Sequence, residues 1–142
     1  MSIYSLFETD QAAEVEGHAL TLHDVDENGD AYEIHILIAR AGGSNSKYAK
    51  RFQSLMRPHQ HAVNTGTMKD EVAEKIVAQV MAETLILDWD GIKGRDGEDL
   101  ECTIENKLQL LNDLPQLREV IWAEANKVAN FMAVGREEAA KN

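Results

Sequence analysis

Asp24-Val25-Asp26-Glu27-Asn28-Gly29-Asp30 sets oxygen ligands at alternate positions ahead of a glycine, which is the first half of a calcium-binding loop. The second half fails, because the position that needs a bidentate glutamate is His35 and the flanks read as strands. The turn chemistry of Asn28-Gly29 accounts for the same residues, so no calcium is assigned. Gly42-Gly43-Ser44-Asn45-Ser46-Lys47, between a strand and a helix, has the backbone N–H groups that favour a phosphate but lacks the spacing of a nucleotide-binding loop. His59 and His61 share a face only in extended chain, and neither they nor Cys102, His18 and His23 have the spacing of a zinc site. There is no Gly-x-Ser-x-Gly elbow and nothing pairs Cys102 with a particular histidine. In a chain this rich in carboxylates, an acid and base pair arises by accident. Catalytic residues, metal and cofactor are all assigned as none.

A binding chemistry is better supported. The first thirty-nine residues hold nine acids and no Lys or Arg, whereas every charge from Arg40 to Arg57 is positive. That basic block joins a strand end, a glycine break and the start of an amphipathic helix, and it is the segment expected to touch a partner. The candidate binding residues are Arg40, Lys47, Tyr48, Lys50, Arg51, Phe52 and Arg57, with Trp122 added from the last helix. Tyr48 and Phe52 read either as interface anchors or as core, and their helical spacing favours core.

With 142 residues, one domain over 1–134 and a charged, flexible tail over 135–142 are expected. The net charge of -11 repels nucleic acid and anionic membrane, so neither is a predicted partner. A lone cysteine, an N-terminus without a signal-peptide pattern and no apolar run of about twenty residues predict an intracellular, reducing compartment.

The elements that position these residues begin with a hairpin, Ala19 to Val25 and Ala31 to Ala39 around Asn28-Gly29. Tyr32, Ile34, Ile36 and Ile38 alternate onto one face, and a third strand from Ile3 to Phe7 or a helix is needed to support the pair. Ser44, Asn45 or Ser46 caps a helix that Pro58 ends near Arg57. Thr67 and Asp70 form a capping box for a central core helix with the stripe Val72, Ile76, Val77, Val80, Met81, Thr84 and Leu85. Asp88 to Glu101 reads as a surface loop with a short strand pair around it, and Thr103 caps a further helix. A last helix starts after Asp113 and runs to Gly135, its stripe wide enough with Trp122, Ala125, Ala129 and Phe131 to suggest a second apolar surface. Trp89 and Trp122 are expected in the core. The predicted class is α+β, mainly helical, an N-terminal β-hairpin packed on three to four helices.

The order of short motifs adds a resemblance. Ile3-Tyr4-Ser5-Leu6-Phe7-Glu8-Thr9-Asp10, Ile38-Ala39-Arg40-Ala41-Gly42-Gly43-Ser44-Asn45, Arg57-Pro58, Asp88-Trp89-Asp90-Gly91-Ile92, Thr103-Ile104-Glu105-Asn106 and Leu110-Leu111-Asn112-Asp113-Leu114-Pro115 together resemble the tail assembly chaperone family of long-tailed bacteriophages and prophages. The resemblance runs to about Asn126. It implies a non-enzymatic protein of the bacterial host cytoplasm that coats the tape measure protein and helps recruit tail tube protein subunits, as a homo-oligomer. It also implies the shorter of two forms made by frameshifting. The alternative from another class is a tail completion or minor tail protein retained in the virion.

Overall fold

The computed structural model describes residues 2–133. In chain order they form α1 (Ile3–Phe7), α2 (Gln11–Glu16), β1 (His18–Val25), β2 (Ala31–Ile38), α3 (Lys47–Met56), α4 (Gln60–Asn64), α5 (Asp70–Thr84), β3 (Ile86–Asp90), α6 (Ile104–Asp113) and α7 (Pro115–Asn126). Short 3-10 turns cover Arg57–His59 and Val128–Phe131. The class is α+β, as expected.

β1 and β2 pair antiparallel from His18 opposite Ile38 to Val25 opposite Ala31. The support that two strands require comes from elsewhere than expected: Ile3–Phe7 is helical, and the third strand is β3, antiparallel to β2. β3 follows the core helix directly, so its apolar residues reach the sheet with little loop to close. The turn between β1 and β2 is also longer than an Asn-Gly pair. Asp26 Oδ1 accepts the N–H groups of Asn28 and Asp30, both at 2.9 Å, and only Gly29 takes positive φ. The carboxylate that imitates a calcium ligand thus closes the turn itself.

Ile36 and Ile38 of β2, Ile86 and Trp89 of β3, and Ala78, Met81, Ala82 and Leu85 from α5 and its C-terminal end form the core, with Leu111 of α6 and Ile121 and Ala125 of α7. Trp89 is buried as expected and its indole N–H donates to the Leu100 carbonyl at 2.7 Å. Lys107 Nζ donates to the carbonyl of Ala82 in the last turn of α5 and to that of Ile86 at the start of β3, tying α6 to both.

Three local expectations are corrected. Thr67 caps nothing: α5 begins at Asp70 behind Lys69, while the Thr67 hydroxyl is within bonding distance of Thr65 and the Ala62 carbonyl at the end of α4. The last helix stops at Asn126, because Phe131 is drawn into the core and its carbonyl accepts the Asp10 N–H at 2.8 Å. Burial of Ala125 and Phe131 leaves only Trp122 and Ala129 of the expected second apolar surface exposed, so Trp122 is not a core residue. Gly135 and the expected tail lie outside the described residues.

Candidate partner-binding surface

The basic block divides between two environments. Its first part is consumed internally. Glu14 is 1 % exposed, and its carboxylate accepts Arg40 Nη1 at 2.8 Å, the Thr9 hydroxyl at 2.6 Å, and the N–H and hydroxyl of Ser44, both at 3.1 Å. Burial pushes this carboxyl up, but the bonds from Thr9 and Ser44 and the Arg40 charge outweigh it and hold its pKa below the ordinary carboxylate value. Buried Asn45 extends the knot by donating to the Arg40 carbonyl at 2.8 Å, and its Oδ1 accepts the Lys47 N–H at the start of α3. It is therefore the cap of that helix, one residue before Ser46, whose side chain makes no capping bond.

Gly43 explains the glycine pair. It sits at φ 61°, and a Cβ there would lie 1.8 Å from Glu14 Oε2. What resembles a phosphate loop already holds an anion, the Glu14 carboxylate. Arg40, a predicted partner contact, is an internal counter-ion.

The second part is α3. At about 100° per residue, Tyr48, Phe52 and Leu55 fall on one side of the helix and Lys47, Lys50, Ser54 and Arg57 on the other. The first side packs on α5, with Arg51 at its border clasping Glu83 through Nε at 2.7 Å and Nη2 at 3.2 Å. The ring of Tyr48 stacks on Phe52 with centroids 6.1 Å apart and meets Trp122 of α7 at 5.1 Å. Tyr48 is half-buried, which raises its phenol pKa, whereas Trp122 remains 43 % exposed. Residues 74 positions apart thus make one aromatic ledge with a solvent-facing indole. Lys47, Lys50 and Arg57 are exposed on the opposite ridge and form no ion pair among the described residues.

Of the eight predicted contacts, the fold brings Tyr48, Phe52 and Trp122 together, leaves Lys47, Lys50 and Arg57 on a separate ridge, and uses Arg40 and Arg51 as internal counter-ions. Glu14 was missed, since in sequence it is one of nine acids in an uninterrupted acidic stretch. The usable signal was its placement beside Ala13, the first small apolar residue on the buried face of α2.

Among the described residues no group of three or more His, Cys, Asp or Glu is placed to hold a metal, and no helix is long and apolar enough to cross a membrane. No curated protein and no solved structure matches this chain. A family model described as the YdaY prophage protein matches residues 43–142, from the glycine that covers Glu14 through α3, α5 and α7.

Proposed function

The chain belongs to the YdaY prophage protein family, and on that premise we propose that it is a tail assembly chaperone that binds the tape measure protein and helps recruit tail tube subunits. The reading is non-enzymatic: it asks the protein to cover apolar surface on a long helical client, with no bond made or broken. The observation that carries it is the aromatic ledge, where an exposed Trp122 indole is held against Tyr48 and Phe52 at the junction of α3 and α7. Aromatic side chains fixed by a neighbouring ring lose little conformational freedom on binding, which suits them to anchor an apolar helix face. The acidic body, with a net charge of -11, keeps such a binder soluble while it presents that ledge.

Co-expression with a soluble fragment of the tape measure protein from the same prophage tests the reading. Co-purification of the two, lost on Trp122→Ala, is the expected result; failure to bind a soluble fragment overturns it. Mass spectrometry of purified particles provides the second test. A chaperone is absent from the virion, and a fixed copy number there would identify a structural tail protein instead.

A further inference from the structure

β1 is an edge strand whose outer side is uncovered. The sheet order is β1-β2-β3, and among the described residues β2 is the one element packed along β1. At the turn the Asp26 N–H bonds the Asp30 carbonyl, so by the alternation of an antiparallel ladder the even-numbered residues of β1 bond β2 and the odd-numbered ones face outward. The Val25 N–H donates to Asp24 Oδ1 at 2.8 Å. The N–H and C=O groups of Ala19, Thr21 and His23 have no partner among the described residues, and all three residues are exposed. The opposite edge of the sheet is closed, since Lys107 Nζ donates to the Ile86 carbonyl and the Trp89 N–H donates to Asp88 Oδ1 at 2.9 Å. β1 also lacks what guards an edge in most sheets: it has no Pro, Lys or Arg and no break in its register with β2.

The two faces beside this edge differ, and together they specify the side chains of a strand added to it. On the core side, Leu20 and Leu22 are half-buried at the rim of the core. On the open side, Thr21 and His23 lie opposite His35 and Glu33 of β2, with Asp88 and Asp90 of β3 beyond them. None of the three strands contains Lys or Arg, and the His35 ring that bridges Glu33 and Asp90 offsets one of the three acids. Lys93, 5.2 Å over the Tyr32 ring, belongs to the Tyr32 side of the sheet and not to the Glu33 side. Past the strand ends stand Glu16 and the turn acids Asp26, Glu27 and Asp30.

We propose that the β1 edge takes up, as a fourth strand, an extended segment of another protein whose side chains alternate between apolar and basic. Its backbone pairs with the N–H and C=O groups of Ala19, Thr21 and His23. Its apolar side chains lengthen the row of Leu20 and Leu22, and its Lys or Arg side chains lie over Thr21 and His23 and reach toward Glu33, which stands 4.0 Å from the His23 ring. Charge argues against a second copy as the occupant. Two β1 edges side by side would bring together two N-terminal segments that each hold nine acids and no Lys or Arg in thirty-nine residues. The edge is built from other elements than the ledge of α3 and α7, so the proposal does not rest on the client reading.

The test titrates the full chain with two short peptides with blocked ends, one alternating Lys with Val and the other Glu with Val. The Lys-Val peptide binds, slows amide hydrogen exchange at Ala19, Thr21 and His23, and loses affinity as salt is added. The Glu-Val peptide binds at least about tenfold more weakly. Thr21→Pro removes an outward N–H and leaves the ladder to β2 intact, at an edge position open to proline, and weakens the Lys-Val peptide by more than about tenfold. Thr21→Lys, which keeps the N–H and sets a like charge on the open side, has the same direction of effect and serves if circular dichroism shows that the proline variant has lost its fold. A Lys-Val peptide that does not bind, or that binds without protecting those three amides, overturns the proposal. So does a Glu-Val peptide that binds as tightly, or a folded variant that binds as before. Protection of the same amides that grows with the concentration of the chain alone overturns it in favour of β1 pairing with β1.

Discussion

The knot around Glu14 and the ledge around Trp122 are built from neighbouring parts of one basic segment, yet they use their side chains in opposite ways. At the knot, Arg40, Ser44 and Asn45 turn inward and every polar atom of the Glu14 carboxylate has a donor. At the ledge, eight to twelve residues beyond Arg40, Tyr48 and Phe52 are held by ring contacts that leave Trp122 open to solvent. Substitutions at the first should act on folding, and substitutions at the second on binding. A protein that presents apolar surface to a client needs both behaviours side by side, because a rigid base lowers the entropy lost when the presenting surface is covered.

The sharpest way to break this contrast is at the knot. Arg40→Ala leaves Glu14 charged and buried without its counter-ion, a change that costs about 3–5 kcal/mol when a buried pair loses one partner. Gly43→Ala should be of similar consequence, since its Cβ meets the same carboxylate at a backbone conformation that L residues avoid. Urea unfolding measures both. A loss within about 0.5 kcal/mol, the range of ordinary surface substitutions, would show that the knot does not govern stability.

Trp122→Ala reverses the pattern. Nearly half of the indole faces water, so folding should lose no more than about 1 kcal/mol, while affinity for a tape measure fragment should fall by about 2 kcal/mol, or some thirtyfold. Tyr48→Ala falls between the two, lowering both stability and affinity, because its half-buried ring touches both Phe52 and Trp122. Calorimetric titration beside unfolding curves separates the two effects. A Trp122→Ala protein that binds as before would remove the ledge from the proposed interface.

How far the sequence reveals this division depends on the range of each interaction. Patterns with a local period were readable: the alternation of Ile34, Ile36 and Ile38, the stripe of α5, and the Thr103 cap, whose hydroxyl accepts the Asn106 N–H at 3.2 Å. Interactions that join distant segments were not. Glu14 and Arg40 are 26 residues apart, and Tyr48 and Trp122 are 74 apart, so no window of sequence contains either pair. The failure at Ile3–Phe7 has a further cause. Ile3, Leu6 and Phe7 stand at the i, i+3 and i+4 spacing of a helix, but a five-residue run is too short for that period to be decisive, and the hairpin's need for a third strand argued for the wrong element. Phe131 was misassigned to the last helix because the contact that ends it, the Asp10 bond, comes from the other end of the chain.

The ridge of Lys47, Lys50 and Arg57 offers a smaller test of the same contrast. Exchanging all three for Gln should move stability by no more than about 0.5 kcal/mol, since none has an ionic partner among the described residues. If the ridge steers an acidic client, association slows at low salt and loses its salt dependence, while dissociation, governed by the ledge, stays the same. Stopped-flow mixing at two ionic strengths reads both rates. An unchanged salt dependence would confine recognition to the aromatic ledge.

The mildest expected effect lies on the open face of the sheet, away from both regions. His35 Nδ1 is 2.7 Å from Asp90 on β3 and its Nε2 is 3.0 Å from Glu33 on β2, so a ring that donates from both nitrogens joins two strands. The bond to Asp90 is the main cause that raises its pKa, opposed by desolvation and aided by Glu33 and by both negative charges. A folded pKa raised above the ordinary value means a contribution fully present below about pH 6.5 and lost as pH rises through the folded value. The thermal midpoint of the unaltered protein should therefore decline over that interval relative to His35→Gln, which has no titrating ring. Comparing the two proteins isolates the His35 ring from the pH effects that the substitution leaves unchanged. Parallel curves for the two proteins across that range would show that β2 and β3 are held by their ladder and by Trp89, with no contribution from the charge between them.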